Sequence, residues 1–260
     1  MWNWIKDILK RPISKRQVLY FSLVIVGAFF AAIALSMILS DVAEDTAARV
    51  EYTQLRESFP AISGTPTPVR EEEPDEEEPE EDDDFDLRNL SLDQLAAING
   101  DFIGWISATQ SIDYPVVRGN DNNKYINTTF FGSRNSAGTI FMDYRHTKGF
   151  DEHVAILYGH HTRDGSMFSV LINFIDPGFR RNNPNINITT RDGRNLTYRV
   201  FAATKTDAWD NAYTVGIRDS SRASEVFPNA PSNASHFLLL STCTRSRDEN
   251  ERILVYAALG

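Results

Sequence analysis

A mainly β fold closed into a barrel, carried behind one membrane-spanning helix, is what the sequence predicts. Eight short runs rich in apolar, β-branched and aromatic residues succeed one another beyond residue 100, with turn residues every ten or so positions. The helical patterns between them are few and short, unlike the regular crossover helices of an alternating α/β sheet. Near the N-terminus, 22 consecutive residues carry no charge. A β-sandwich is the other arrangement that the same strand pattern allows.

The chain has 260 residues. Residues 1–17 hold Lys6, Lys10, Arg11, Lys15 and Arg16 against the single acid Asp7. The apolar run Val18–Leu39 follows, and at ~1.5 Å per residue it spans roughly 33 Å, enough for the hydrocarbon core of a bilayer. A cleaved signal peptide would have a shorter apolar core of ~7–15 residues, so a retained anchor is expected. Basic flanks stay in the cytoplasm, which puts the C-terminal bulk outside.

Residues 40–86 read as an extracellular linker. Ser40 to Phe59 suits a short helix, and the stretch after it combines prolines with the run "EEEPDEEEPEEDDDFD", Glu71–Asp86, which holds 13 acids and no base. Such a run repels itself and cannot bury apolar surface, so an extended, disordered spacer is expected. Fully stretched, residues 60–86 would reach at most ~90 Å. The run also accounts for the net charge of −10: residues 87–260 carry 18 basic and 17 acidic side chains. A near-neutral domain of this kind has no basic surface for nucleic acid.

The globular domain is expected over 87–260. "SLDQLAAIN" opens it with Ser91 and Gln94 at capping-box spacing, a helix start. The strands are expected at Phe102–Ile106, Ile112–Val117, Gly138–Asp143, His153–Tyr158, Asn185–Thr190, Leu196–Lys205, His236–Thr242 and Ile253–Ala258. "NNKYINTTF", "SMFSVLINF" and "SSRASEVF" are expected as short helices between them, and the stretch Trp209–Ser235 as a shaper of whatever groove the domain carries.

Cys243 is the only cysteine, so no intramolecular disulfide holds the fold. A lone cysteine is by default a small buried hydrophobe, but this one ends a strand among the hydroxyls of Ser241, Thr242 and Thr244, where it can emerge. A thiol nucleophile also needs a base brought near by the fold. In "HVAILYGHHTRDGSMF", Gly159 breaks a buried-looking strand and puts His160 and His161 at its mouth. Neighbours in extended chain face opposite ways, so one of the two is expected to face the thiol. If the last two strands pair through the loop 244–251, Arg252 returns beside Cys243, where a guanidinium could stabilise an oxyanion. Asp248, Glu249 and Glu251 offer that arginine a competing role in a surface ion pair.

"LLLSTC" and, nine residues on, "RILVY", with "ILYGHHTRDGSMF" upstream, resemble the class B sortases of Gram-positive bacteria. "DFIGWI", "IDYPVVRGNDNNKYIN" and "GTIFMDYR" extend the resemblance over roughly Leu90 to Leu259, in the order that family uses. The resemblance implies an eight-stranded sortase-type β-barrel and a cysteine transpeptidase needing neither metal nor organic cofactor. By motif position Cys243 would be the nucleophile, His160 the general acid/base and Arg252 the oxyanion partner, with His161 outside the set. Asn122, Ile126, Tyr158 and Ser241 would lie along a groove for the substrate peptide. That substrate would be an LPXTG-like sorting signal near the C-terminus of a secreted protein, cleaved through a thioacyl-enzyme. The acceptor would be an amine of the peptidoglycan precursor or of a pilin. A pilus-polymerising or a hydrolytic use of the same site, and a membrane-tethered binding domain with an inert thiol, are the alternatives. The acidic linker is not part of the family pattern.

Overall fold

The structure is a computed structural model, and it describes residues 15–58, 90–217, 220–227, 229–244, 246 and 248–260. The acidic run Glu71–Asp86 and the N-terminal residues 1–14 lie outside the described residues. The chain forms two compact units, one ending at Thr46 and the other comprising Ala47–Gly260.

Helix α1, Lys15–Glu57, is 43 residues long and runs through both units. Its stretch Leu19–Ser40 is long and apolar enough to cross a membrane. The helix continues past that stretch to Glu57, in keeping with the helix expected over Ser40–Phe59. Its last turns change character: Ala48, Tyr52 and Leu55 recur at helical spacing and are buried within the second unit.

The second unit is a closed eight-stranded barrel. Its strands are β1 Phe102–Ala108, β2 Ile112–Val117, β3 Ile140–Met142, β4 Val154–Tyr158, β5 Asn185–Thr190, β6 Asn195–Asp207, β7 Phe237–Cys243 and β8 Glu251–Leu259. They hydrogen-bond in the order β1-β2-β3-β4-β7-β8-β6-β5, and β5 closes back on β1. Closure removes every sheet edge and excludes the sandwich. Two neighbouring pairs are parallel, β2 with β3 and β4 with β7, and the rest are antiparallel.

Two clusters of buried side chains explain why β4, β7 and β8 read as near-continuous apolar runs. Leu157, Leu238, Leu240 and Val255 belong to the main core, while Ile156, Leu239, Leu254 and Tyr256 belong to a second core with Ala212, Ile217, Ala223 and Phe227. Strands buried on both faces lose the polar alternation of a half-exposed sheet. From the stretch Trp209–Ser235, Ala212, Ile217, Ala223, Phe227 and Ala234 are buried in the second core, and Tyr213, Val215, Val226 and Ala230 pack against it.

Helix α2, Leu92–Ile98, starts at the expected capping box: Gln94 N donates to Ser91 Oγ and Ser91 N donates to Gln94 Oε1. Helix α3, Pro177–Asn182, is capped by Asp176, and α4 spans Ser220–Val226. "SMFSVLINF" forms a 3₁₀ segment, Ser169–Ile175. The expected helix over "NNKYINTTF" is absent, and turns and bends take its place. Its carbonyls are used elsewhere: Tyr125 O accepts from Thr139 N and Ile126 O from a histidine ring, so no helical ladder forms.

Candidate functional site

The ends of β4 and β7 build the site. These strands run parallel with Tyr158 opposite Ser241, and Gly159 N donates to Ser241 O at 3.2 Å. Parallel neighbours lie ~4.8 Å apart, so the residue two beyond each partner emerges at the same rim and on the same face. Those residues are His160 and Cys243. Gly159 is required between the two rims: a Cβ there would overlap Ile140 Cδ1 and come within 2.8 Å of the Phe168 ring. The antiparallel pairing of β7 with β8 then sets Cys243 directly opposite Arg252.

His160, Cys243 and Arg252 line one groove of about 500 Å³, and Asn122, Ile126, Tyr158 and Ser241 line it with them. Cys243 is exposed and without a disulfide. His160 donates from Nε2 to the Ile126 carbonyl at 2.7 Å. A carbonyl oxygen only accepts, so the neutral ring carries its proton on Nε2, and Nδ1 is the nitrogen available for proton exchange. His161 faces away, lining a separate recess, and its Nδ1 meets the backbone carbonyl of Cys243 at 3.2 Å.

The guanidinium of Arg252 donates from Nη1 to the Glu249 and Glu251 carbonyls at 2.6 and 3.1 Å. Among the described residues no carboxylate pairs with it. Glu251 is instead engaged by Lys205 Nζ at 2.7 Å and by the Thr244 hydroxyl at 2.6 Å, which together hold its carboxyl at about 2. The arginine is therefore held by neutral oxygens and keeps its charge for the groove.

Several groove residues were not singled out in the sequence, although two of them, Phe141 and Arg145, lie within "GTIFMDYR". Phe141, Arg145, Ala208 and Tyr213 line it as well. Tyr213 hydrogen-bonds Ser241 Oγ at 2.7 Å and stacks on Tyr158 with ring centroids 6.1 Å apart; burial pushes its hydroxyl up to about 12. Behind the wall sits Asp143, whose side chain has no exposed surface. It accepts from Asn122 Nδ2 at 3.1 Å and from Tyr158 Oη at 3.0 Å. Arg145 adds its backbone N–H at 3.1 Å, with Nε at 2.8 Å and Nη2 at 2.7 Å gripping both carboxyl oxygens. Burial alone would raise this carboxyl, but the hydrogen bonds outweigh it and hold the group at about 2. Asp143 thus fixes three side chains of one groove wall, and among the described residues no His/Cys/Asp/Glu group suited to a metal ion occurs.

The sortase domain family matches residues 106–260 of the chain. Sortase B of Staphylococcus aureus is 31% identical over 180 residues, covering 64% of this chain and 72% of the relative. Among solved structures, the S. aureus sortase B–substrate complex is 30% identical, with a TM-score of 0.57 over 65% of this chain and 84% of that one. A Streptococcus pyogenes class B sortase involved in pilus biogenesis is 29% identical, with a TM-score of 0.57 over 66% of this chain and 98% of that one.

Proposed function

Since the chain belongs to the sortase family, and to the class B cysteine transpeptidases within it, we propose that its substrate is an LPXTG-like sorting signal on secreted proteins. One observation carries the reading: a nucleophile, a base, a guanidinium and the four residues expected along the peptide all open into a single groove. The S. aureus sortase B solved with substrate supports a peptide in that position.

In this mechanism Cys243 gives its thiol proton to His160 Nδ1, and the resulting thiolate attacks the carbonyl carbon of the signal's threonine, giving a tetrahedral oxyanion that Arg252 stabilises. Collapse breaks the peptide bond. His160 gives the proton from Nδ1 to the leaving amine, and the threonyl carbonyl remains as a thioester on Cys243. An acceptor amine then loses its proton to His160, attacks the thioester and frees the thiol. The acceptor is an amine of the peptidoglycan precursor. The pilus-associated S. pyogenes relative supports a lysine of a pilin as the second reading. Leu19–Ser40 would hold the enzyme in the cell membrane, N-terminus inside and barrel outside, where both substrates are found.

The acceptor is tested by incubating the enzyme with a cleaved pentapeptide and either triglycine or a lysine-bearing peptide, and measuring the ligated product. Ligation to triglycine supports the cell-wall reading. Ligation only to the lysine peptide supports the pilin reading, and hydrolysis unaffected by either amine would overturn both.

A further inference from the structure

The Ile126 carbonyl that holds His160 belongs to the segment 125–139, which contains no strand or helix and only an isolated bridge between Thr128 and Arg134. Its shape is therefore set by what grips it. Asn99 takes part, donating from Nδ2 to Phe130 O at 2.8 Å. Tyr125 Oη lies 3.1 Å from Asn99 Oδ1 and 2.9 Å from Asp101 Oδ2, and a second grip comes from the last turns of α1. Tyr52 Oη donates to Gly138 O at 2.5 Å and lies 3.2 Å from Thr139 Oγ1. Glu51, the adjacent residue, accepts from Phe131 N at 3.2 Å.

The path from Tyr52 to the imidazole is short and rigid. Gly138 lies so close to the Tyr125 and Ile126 carbonyls that a Cβ would be 2.5 Å from each. Thr139 N donates to Tyr125 O at 3.1 Å, and its hydroxyl donates to Thr128 O at 2.8 Å. Ile126 O then accepts from His160 Nε2 at 2.7 Å. Tyr52 is almost wholly buried, packed edge-on against Tyr114 with ring centroids 5.4 Å apart, and burial keeps its hydroxyl protonated as a donor. On the next turn Arg56 donates from Nε to Asp113 O at 2.9 Å and lies over the Tyr114 ring at 4.4 Å, fixing this end of the helix to β2.

We propose that Glu51 and Tyr52, on the helix that continues from the apolar anchor, are positioning residues for His160, acting through Gly138, Thr139 and the Ile126 carbonyl. They hold the imidazole in the Nε2–H tautomer and leave Nδ1 for proton exchange with Cys243. The role rests on the reading of His160 as the acid/base partner of that thiol.

The test uses the full chain in detergent micelles and iodoacetamide, because Cys243 is the only thiol and its alkylation needs no knowledge of the substrate. Alkylation rate is measured against pH for the wild type, His160→Ala, Tyr52→Phe and Glu51→Ala, with a thermal unfolding curve for each. Tyr52→Phe keeps the ring and removes only the hydroxyl; Glu51→Ala carries the test if that variant folds poorly. The expected result is a His160→Ala profile displaced from the wild type, with the other two displaced the same way by a smaller amount. At neutral pH their rates should fall roughly threefold to tenfold, the scale of one hydrogen bond. Profiles for Tyr52→Phe and Glu51→Ala that coincide with the wild type while His160→Ala departs would overturn the positioning role and leave only a structural one. If His160→Ala itself coincides with the wild type, the acid/base reading fails and the positioning role falls with it.

Discussion

Asp143 holds three groove side chains, those of Asn122, Arg145 and Tyr158, with one buried carboxylate, and its titration gives a stability signature. The folded group sits at about 2, below the usual carboxylate value of ~3.9, so the stability it contributes is fully present above about pH 4. It is lost as pH falls through about 2, and amounts to about 2 kcal/mol. Urea unfolding at stepped pH should show Asp143→Asn losing less stability than the wild type between pH 4 and pH 2; equal losses would remove Asp143 from this role. Arg252→Lys should lower kcat/KM by roughly a hundredfold with little change in melting temperature, because an ammonium cannot reproduce a guanidinium fixed by two carbonyls. That Cys243 and Arg252 face each other was legible in the sequence because one ends an apolar run and the other opens the next, whereas the choice of His160 over His161 came from the resemblance. Asp143 was not legible: its partners Asn122 and Tyr158 lie 21 and 15 residues away, and an aspartate at a strand end reads as a turn residue.

Elements were legible where local pattern and burial agree. All eight strands overlap the runs that alternation and apolar patterning place, although β4, β7 and β8 are buried on both faces and so carry no alternation to fix register. The segment 122–130 reads as helical because its short apolar spacing fits a turn, yet Asp121 Oδ1 takes the N–H groups of Asn123 and Lys124 while Thr139 and His160 take its carbonyl groups. Tertiary contacts decided that conformation. Within the longer segment 125–139, Gly138 is tightly held, with φ +59° and the Tyr125 and Ile126 carbonyls against the position of a Cβ. Gly138→Ala should therefore cost about 2 kcal/mol or more in chemical denaturation, since both the backbone conformation and the contact resist a side chain. A cost below ~0.5 kcal/mol would mean that the segment yields easily and cannot fix Ile126.

The molecule as a whole joins an apolar helix to a barrel through residues that belong to the barrel's own compact unit, which begins at Ala47. The sequence alone suggests a domain starting near Leu87, because the acidic run Glu71–Asp86 interrupts every apolar pattern before it. No periodicity links Tyr52 to Gly138, 86 residues away, so this docking was invisible without the fold. A chain beginning at Leu87 should melt roughly 10 °C below one beginning at Ala47, since it loses the buried side chains of Tyr52 and Leu55. Equal melting temperatures would show that the helix end adds nothing to the barrel.

The most direct measurement of the central claim is intact-mass spectrometry of the full chain, in detergent, after exposure to a panel of sorting-type pentapeptides. A thioacyl adduct carrying the N-terminal fragment of one peptide, present on the wild type and absent from Cys243→Ala, is the expected result. It would establish the covalent intermediate and name the motif together. No adduct with any peptide, from a folded protein whose Cys243 also resists alkylation, would contradict a thiol nucleophile in this groove.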